Sequence, residues 1–243
     1  LAEDGRLPGL LDWLGLPYTG EDCRTSAITF DKAVSRALAE RAGLPMPAGV
    51  IWPSDGAATR RLDELPFGLP VVVKPVAEGS SVGVSLVREP GEWAPALAAA
   101  ATGGEVTVEA YVAGTELSVG VVRGKALGTA EIVPKRAFYD YEAKYGNAGT
   151  EYFVPARIEP AVAAEVEALA ERAVAAFGCR GAVRVDFLLG ADGPVFLEVN
   201  TLPGMTPSSL LPKIAAGAGL PFDALIDGIL DDARCGREVS HGA

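Results

Sequence analysis

The stretch DFLLGADGPVFLEVN, which begins at Asp186, contains side chains whose types and spacing suit metal chemistry. It predicts two strands joined by a tight turn, with Arg184 and Asp186 on one face of the first and Glu198 and Asn200 on one face of the second. A three-residue turn with Gly193 in the left-handed region would bring Asp186 opposite Glu198. Facing carboxylates destabilise a sheet unless they are neutralised, and Mg²⁺ holding a nucleotide phosphate is a common neutralising group. The stretch therefore predicts a magnesium site, and the alternative is a solvated hairpin with exposed acids.

A second candidate is the stretch VVVKPVAEGSSVGVSLV, in which Lys74 ends a buried strand and a glycine-serine loop follows. Backbone N–H groups in such a loop can bind an anion, and a lysine beside them adds positive charge. A plain β-hairpin with a solvated lysine is the alternative. The loop is neither a Walker A motif nor G-x-G-x-x-G, so it predicts phosphate binding only in combination with the acidic hairpin.

Three other segments have polar residues suited to a ligand. Glu109 ends a β-branched strand and Glu116 follows on the next, where carboxylates can accept hydrogen bonds from a ribose or an adenine amino group, although exposed acids beside a turn fit equally. Lys144 and Tyr145 lie in an aromatic loop that is either a mobile lid or a cover over a core. Ser208-Ser209 opens a helix whose N-terminus attracts a carboxylate, or it is an ordinary N-cap.

Composition excludes several classes of function. The chain has 243 residues, 49% of them hydrophobic and 22% charged, which is typical of a folded protein with one large or two modest domains. Its net charge of −11 argues against a nucleic-acid partner. Three widely spaced cysteines predict structural thiols in a reducing compartment, and the single histidine, His241, excludes a histidine-based triad within this chain. No segment approaches 18 uncharged apolar residues, so no membrane-spanning helix is predicted, and the first residues do not resemble a signal peptide.

The remaining pattern predicts helices alternating with strands. Helices are expected at residues 7–14, 31–42, 92–101 and 161–176 and from residues 208 and 222. Strands are expected at 50–52, 71–74, 82–87, 105–111, 116–122 and 125–132 and in the acidic hairpin, and residues 138–150 are expected to form a long loop. Helices packed on antiparallel sheets predict an α+β chain with two sub-lobes.

Taken in order, these segments resemble the D-alanine–D-alanine ligases of the ATP-grasp superfamily. The resemblance covers nearly the whole chain, and its most specific motifs are EGSSVG, FYDYEAKY and LEVNTLPGMT. It implies the ATP-grasp fold, in which two sub-lobes clasp a nucleotide. It also implies four segments: residues 1–26 as the remnant of an amino-terminal substrate domain, 27–108 as the small sub-lobe, 109–235 as the large sub-lobe and 236–243 as a tail.

The resemblance assigns nucleotide-binding roles, with the lysines on the phosphates, the strip between the lobes holding adenine and ribose, and apolar residues against the adenine. These residues are Lys32, Lys74, Glu78, Ser80, Ser81, Glu109, Tyr111, Val112, Glu116, Phe138, Lys144 and Leu188.

Other positions match the groups that hold metal and substrates. Asp186, Glu198 and Asn200 match the ligands of two Mg²⁺ ions, with Mn²⁺ as an alternative metal, in agreement with the spacing argument. The remaining matches are the oxyanion-stabilising groups and lid contacts Arg184, Gly204, Ser80 and Tyr145, and the substrate-binding residues Glu3, Ser209 and Leu210.

The implied reaction is ATP-dependent joining of two D-alanine molecules through an acylphosphate, for peptidoglycan precursor synthesis in the cytoplasm. The implied partners are D-alanine and ATP, with no nucleic acid or membrane, and the family is commonly a homodimer through its amino-terminal region. The alternatives are a D-alanine–D-lactate ligase, a nucleotide-binding fragment that is inactive without its amino-terminal domain, and a ligase that joins other amino acids.

Three departures from the family pattern stand out. The residues that hold the first D-alanine, an acid and a histidine of the amino-terminal domain, have no match here. The spacing from Asp186 to Glu198 is one residue shorter than the pattern, which the turn or the metal geometry must absorb. Ala2 stands where a glycine is usual.

Tyr145 bears on the choice of second substrate, because relatives that make the D-alanine–D-lactate ester have a histidine at this lid position. We expect Tyr145→His to raise the use of D-lactate relative to D-alanine, most strongly at low pH. The measurement is competition between the two second substrates, and unchanged partitioning would contradict the expectation.

Overall fold

The structure, a computed structural model, describes residues 2–79, 82–102, 104–134 and 150–236 and has the predicted α+β architecture. The α-helices are α1 (Arg6–Leu14), α2 (Cys23–Phe30), α3 (Lys32–Arg41), α4 (Trp93–Ala101), α5 (Pro160–Phe177), α6 (Leu210–Gly217) and α7 (Phe222–Leu230). The strands are β1 (Gly49–Trp52), β2 (Val71–Pro75), β3 (Ser85–Val87), β4 (Val106–Ala110), β5 (Thr115–Val122), β6 (Lys125–Val133), β7 (Glu151–Phe153), β8 (Ala182–Gly190) and β9 (Gly193–Asn200).

The first sheet has the antiparallel order β1-β4-β2-β3. Alternation along its strands divides it into an apolar face and a mixed face. Val71, Val73 and Val108 are buried on the apolar face, where they pack against Leu97 and other residues of α4. The opposite face includes Lys74, which is thereby directed towards the second sheet.

The second sheet has the order β7-β6-β5-β8-β9, also antiparallel throughout. Its core face packs on α5, whose apolar side chains cover Val119, Val185 and Phe187. On the other face, α6 lies directly over Gly120, because a Cβ there would come 2.9 Å from the Leu211 side chain. The polar residues of β5 and β8 that α6 leaves uncovered face the first sheet.

Helix α3 packs with the second sheet although it precedes the first sheet in the chain. Ala39 and Leu44, at the end of this helix and just after it, belong to the core of the second sheet, and Phe196 N donates to the Pro45 carbonyl at 2.8 Å. The domain boundaries expected after residues 26, 108 and 235 stay predictions. This packing favours a division near residue 48 instead of residue 26.

A buried carboxylate anchors the segment before α2. Glu21 is 2% exposed and accepts hydrogen bonds from the backbone N–H groups of Arg180 and Gly181, each at 2.8 Å. Burial raises the pKa of Glu21, while the two N–H groups favour its charged form. The segment is thus tied to the residues that immediately precede β8.

Most predicted elements are confirmed to within a few residues, but two were missed and one was too long. Helix α2 has the sequence CRTSAITF, whose β-branched and hydroxyl residues do not favour a helix, and its start depends on Asp22, which accepts from Thr25 N at 2.7 Å. Strand β7 lies just after the loop expected at residues 138–150, and no element was predicted there. Strand β3 begins at Ser85, not Val82.

The long loop expected at residues 138–150 lies almost wholly outside the described residues. Within the described ranges, no helix combines the length and the apolar character that crossing a bilayer requires. The three cysteines are free thiols, and Cys23 is exposed.

Gly120 provides a test of the contact between α6 and the second sheet. We expect Gly120→Val to lower the free energy of unfolding by about 1–3 kcal/mol, because its side chain would overlap Leu211 and Ile214. Urea unfolding measures the change. Gly68→Ala is the matched control, since a Cβ at Gly68 meets nothing within 4 Å, and an equal loss in both variants would contradict the expectation.

Candidate functional site

The turn of the acidic hairpin is shorter than predicted. Gly190 pairs with Gly193, so the loop contains only residues 191 and 192, and the predicted three-residue turn was wrong. With this turn alone, Asp186 would pair with Leu197. Side chains alternate between the two faces of a strand, so Glu198 would then point to the opposite face.

A β-bulge corrects this register. Phe187 pairs with Phe196, whereas Asp186 pairs with Glu198, which leaves Leu197 as the extra residue of β9. The predicted pairing of the two carboxylates is therefore confirmed, but a bulge produces it. Leu197 and Glu198 both line the space between the sheets, as expected when a bulge turns two successive side chains to one side.

Asp186 is held by a second strand as well as by its own. It is 5% exposed, and its carboxylate accepts from Ser118 Oγ at 2.5 Å and from Arg184 Nη2 at 3.1 Å. Arg184 Nε also donates to Ser118 Oγ at 3.1 Å. Ser118 is fully buried directly opposite Asp186 on β5. The three side chains form a closed ring that fixes the orientation of the carboxylate.

The space between the sheets forms two adjoining cavities. The first, of about 410 Å³, is lined by residues of both sheets and α3. Among the predicted site residues it contains Lys32, Lys74, Glu78, Glu109, Tyr111, Val112, Glu116, Asp186, Leu188 and Glu198.

The second cavity, of about 570 Å³, extends from the acidic hairpin to the start of α6. It shares Lys32, Glu78, Glu116, Asp186 and Glu198 with the first cavity and adds Glu3, Arg184, Asn200, Gly204, Ser209 and Leu210. Every predicted site residue that the structure describes therefore lines at least one of the cavities. Ser80, Ser81, Phe138, Lys144 and Tyr145 lie outside the described residues.

Lysines and carboxylates in the first cavity are engaged with one another. Lys74 Nζ lies 2.5 Å from Glu109 Oε2, and Arg36 Nη1 lies 3.4 Å from Glu109 Oε1. Lys32 Nζ donates to the Glu78 carbonyl at 2.5 Å. This cavity therefore presents cations to an anionic ligand while the Glu109 carboxylate is already compensated.

A second carboxylate-guanidinium pair lies at the edge of the same cavity. Arg157 Nε and Nη2 each donate to Glu131 at 2.8 Å, and the guanidinium lies 3.4 Å from the centre of the Phe153 ring. The hydrogen bonds from Arg157 hold the pKa of Glu131 below its usual value. The pair stays charged at neutral pH and ties β6 to the segment after β7.

Hydroxyl groups cluster where the second cavity meets α6. Ser209 Oγ accepts from Thr206 N at 3.1 Å and lies 2.8 Å from Thr206 Oγ1, which in turn lies 3.0 Å from Ser208 Oγ. Ser209 is the N-cap residue of α6, but its side chain makes no capping hydrogen bond to the helix. The N-cap interpretation is therefore corrected: the hydroxyl bonds the preceding loop.

Several residues of the site were missed in the sequence. The sequence did contain an indication for Arg36, because this residue lies four residues after Lys32 on α3 and therefore on the same face of the helix. The sequence contained no indication for Ser118 and Glu131, since a serine or a glutamate within a β-branched strand is typical of a solvent-facing position. Only the pairing of β5 with β8 shows that Ser118 contacts Asp186.

The hydrogen-bonded ring around Asp186 should stabilise the fold through the Ser118 hydroxyl. We expect Ser118→Ala to lower the free energy of unfolding by about 1–3 kcal/mol, because a buried carboxylate and a guanidinium each lose a partner. Denaturant unfolding measures this. Ser54→Ala, at an exposed serine in a turn, should change stability by less than about 0.5 kcal/mol. A Ser118 variant as stable as this control would contradict the role of the ring.

The chain is similar to known proteins in sequence and in fold. The family model described as D-ala D-ala ligase C-terminus matches residues 38–231. The D-alanine–D-alanine ligase of Anaeromyxobacter dehalogenans (strain 2CP-C) is 53% identical over 234 residues, which are 96% of this chain and 76% of that relative.

Solved structures agree with the sequence relatives. The D-alanine–D-alanine ligase of Bacillus anthracis, also solved in complex with ATP, superposes with a TM-score of 0.85 at 34% identity, covering 95% of this chain and 76% of that one. The VanG D-Ala:D-Ser ligase of Enterococcus faecalis superposes with a TM-score of 0.86 at 32% identity, covering 95% and 69%. The family model alone matches most of the chain, and the chain therefore belongs to the D-alanine–D-alanine ligase family, with the ATP-grasp fold.

Proposed function

We propose that this chain carries the ATP-binding and ligation centre of an enzyme that joins two D-alanine molecules and forms ADP and phosphate. The observation that carries the proposal is the convergence of Asp186 and Glu198 from paired strands, at the point where the two cavities meet. The first cavity has Lys32 and Lys74 beside apolar residues such as Val112 and Leu188 and suits a nucleotide. The other is lined by hydroxyls, an arginine and a glycine and suits amino-acid carboxylates.

In this proposal the first cavity binds ATP, which is the ligand named for the Bacillus anthracis relative. Lys32 and Lys74 would neutralise phosphate charge, as lysines beside phosphates do. Leu188 and the backbone around Val112 supply an apolar slot of the kind that accepts a planar base. Ser80, Ser81, Phe138 and Lys144 are proposed to complete the site from outside the described residues.

Mg²⁺ is the metal that the donor set fits best. Two carboxylates and the amide oxygen of Asn200 are hard oxygen ligands, and the bulge places Glu198 opposite Asp186 on one face. Asp186 keeps acceptor capacity beyond Ser118 and Arg184, because an ionised carboxylate has about four lone-pair sites. When bound, Mg²⁺ would offset the charge of the transferring phosphoryl group. These three residues are the proposed ligands.

The proposed chemistry has two steps. The carboxylate of one D-alanine attacks the γ-phosphorus of ATP, the bond to the leaving ADP breaks, and an acylphosphate forms. The amine of the second D-alanine then attacks the acyl carbon, loses a proton, and expels phosphate to leave the dipeptide. Arg184 and the backbone of Gly204 are proposed to stabilise the oxyanion of the second step. Ser209 and Leu210 are proposed to hold the second carboxylate, and Glu3 contributes from the segment before α1.

The biological setting is proposed on the same basis. D-alanyl-D-alanine is a peptidoglycan precursor, so the chain is assigned to cell-wall synthesis in the cytoplasm, where ATP is available and free thiols persist. Homodimerisation is proposed for a form that carries the amino-terminal region. A second candidate function is a D-Ala:D-Ser ligase, because the VanG D-Ala:D-Ser ligase shares the fold closely. The assay should therefore include D-serine, together with D-lactate for the alternative raised by the sequence.

The test is phosphate release from ATP and Mg²⁺, with and without D-alanine, using this chain and a form extended upstream. Release that depends on D-alanine, together with detection of D-alanyl-D-alanine, supports the proposal. Tight ATP binding without D-alanine-dependent turnover in either form would favour a nucleotide-binding fragment.

Neutralising the proposed metal ligand gives a sharper prediction. We expect Asp186→Asn to lower kcat by about 100-fold or more, because the substitution removes the negative charge of a proposed Mg²⁺ ligand that is also the partner of Arg184. The matched control is Asp192→Asn, in the exposed turn of the same hairpin. Equal activity in the two variants, measured as phosphate release at saturating ATP, would exclude Asp186 from the site.

A further inference from the structure

Arg36 is placed where the two sheets meet and spans them. Its side chain is 10% exposed and extends from α3, which packs with the second sheet, to β4 of the first. It donates to three oxygens: the Pro47 carbonyl at 2.6 Å, Glu40 Oε1 at 2.9 Å and Glu109 Oε1 at 3.4 Å. The fit is tight, because a Cβ at Gly49 would lie 2.7 Å from Arg36 Nη1.

Glu109 is therefore shared between two cations. Lys74 bonds Oε2 at 2.5 Å from a diagonal position on β2, and Arg36 bonds Oε1 from α3. The Glu109 side chain is 13% exposed. A carboxylate this buried is strongly destabilised if it loses its last cationic partner.

Lys74 has two possible partners once an anionic ligand enters the first cavity. If it turns to a phosphate, it releases Glu109, and the cost of that release depends on what else compensates the carboxylate. Arg36 cannot follow Lys74 easily, because its bonds to Pro47 and Glu40 hold the guanidinium in place.

We propose that Arg36 is a positioning residue for ATP: it keeps Glu109 compensated, so that Lys74 can exchange the carboxylate for a phosphate. The inference rests on the proposed function, since it requires a nucleotide in the first cavity. Arg36 acts through Glu109 and Lys74, so its effect falls on nucleotide affinity, while the chemical step and the D-alanine site are left unchanged.

The test compares the wild-type chain with Arg36→Ala by calorimetric titration with ATP and Mg²⁺, alongside steady-state kinetics. We expect the Kd and KM for ATP to rise about 10-fold or more, because Lys74 would then be the only cation that the described residues place on Glu109. The KM for D-alanine and kcat should stay within about twofold. A merely structural role would lower the stability without this selective loss of ATP affinity, and an unchanged Kd would overturn the inference.

A double-mutant cycle separates this role from direct contact between Arg36 and the nucleotide. In a Glu109→Gln background there is no charge to compensate, so adding Arg36→Ala should change the Kd for ATP by less than about twofold. An equal loss in both backgrounds would show that Arg36 acts independently of Glu109 and would overturn the inference. Arg61→Ala, at an exposed arginine paired with Asp63, is the control and should not alter the Kd.

Gly49→Ala tests the same contact if Arg36→Ala fails to fold. It keeps the arginine but places a methyl group 2.7 Å from Nη1, so the guanidinium must leave its present position, from which it contacts Glu109. We expect a weaker affinity for ATP in the same direction. No ATP binding by the wild-type chain would overturn the proposed function and this inference together. D-alanine-dependent turnover in the wild type with full ATP affinity in Arg36→Ala and Gly49→Ala would overturn the inference alone.

Discussion

The placement of Asp186 opposite Glu198 is the constraint on which the site depends. Two carboxylates facing each other across a sheet repel, and the hairpin tolerates them only with compensation from other groups. Part of that compensation is already built into the fold: Arg184 pairs with Asp186 at 3.1 Å, and Ser118 donates to the same carboxylate from the neighbouring strand. The remaining charge faces the cavity, where an oxygen-binding cation would neutralise it. Fold and proposed metal chemistry thus depend on one pair of strands.

Carboxylates elsewhere between the two sheets are also paired with basic side chains. Glu109 of the first sheet is compensated by Lys74 of β2 and Arg36 of α3, and Glu131 of the second sheet is compensated by Arg157. Glu109, Glu131 and Asp186 are each matched to a basic side chain, which lowers the cost of a charge in a protein interior. The cations of the first cavity are therefore held in place before any ligand arrives. In the proposed exchange at Lys74, affinity for an anion would depend on a change of partners and not on the presence of positive charge alone.

The arrangement of the two sheets makes this exchange possible. α4 and α5 cover the apolar outer faces, so the polar inner faces are directed towards each other. α3 packs with the second sheet, yet its Arg36 contacts the first, and the Gly49 position leaves room for that contact. The helix thus contacts both sheets beside the first cavity. The packing of this helix favours a boundary between the lobes near residue 48.

The sequence by itself determined the chemical types of the site and most of the elements that carry it. Alternation placed Arg184 with Asp186 on one face of β8 and Glu198 with Asn200 on one face of β9, and the order of the motifs identified the family, because both are local properties of a chain. Tertiary structure decided the rest. The bulge at Leu197 and the contact of Ser118 with Asp186 depend on how β5, β8 and β9 pair. Helix α2 and the span of Arg36 depend on packing between segments distant in sequence, which local periodicity does not encode.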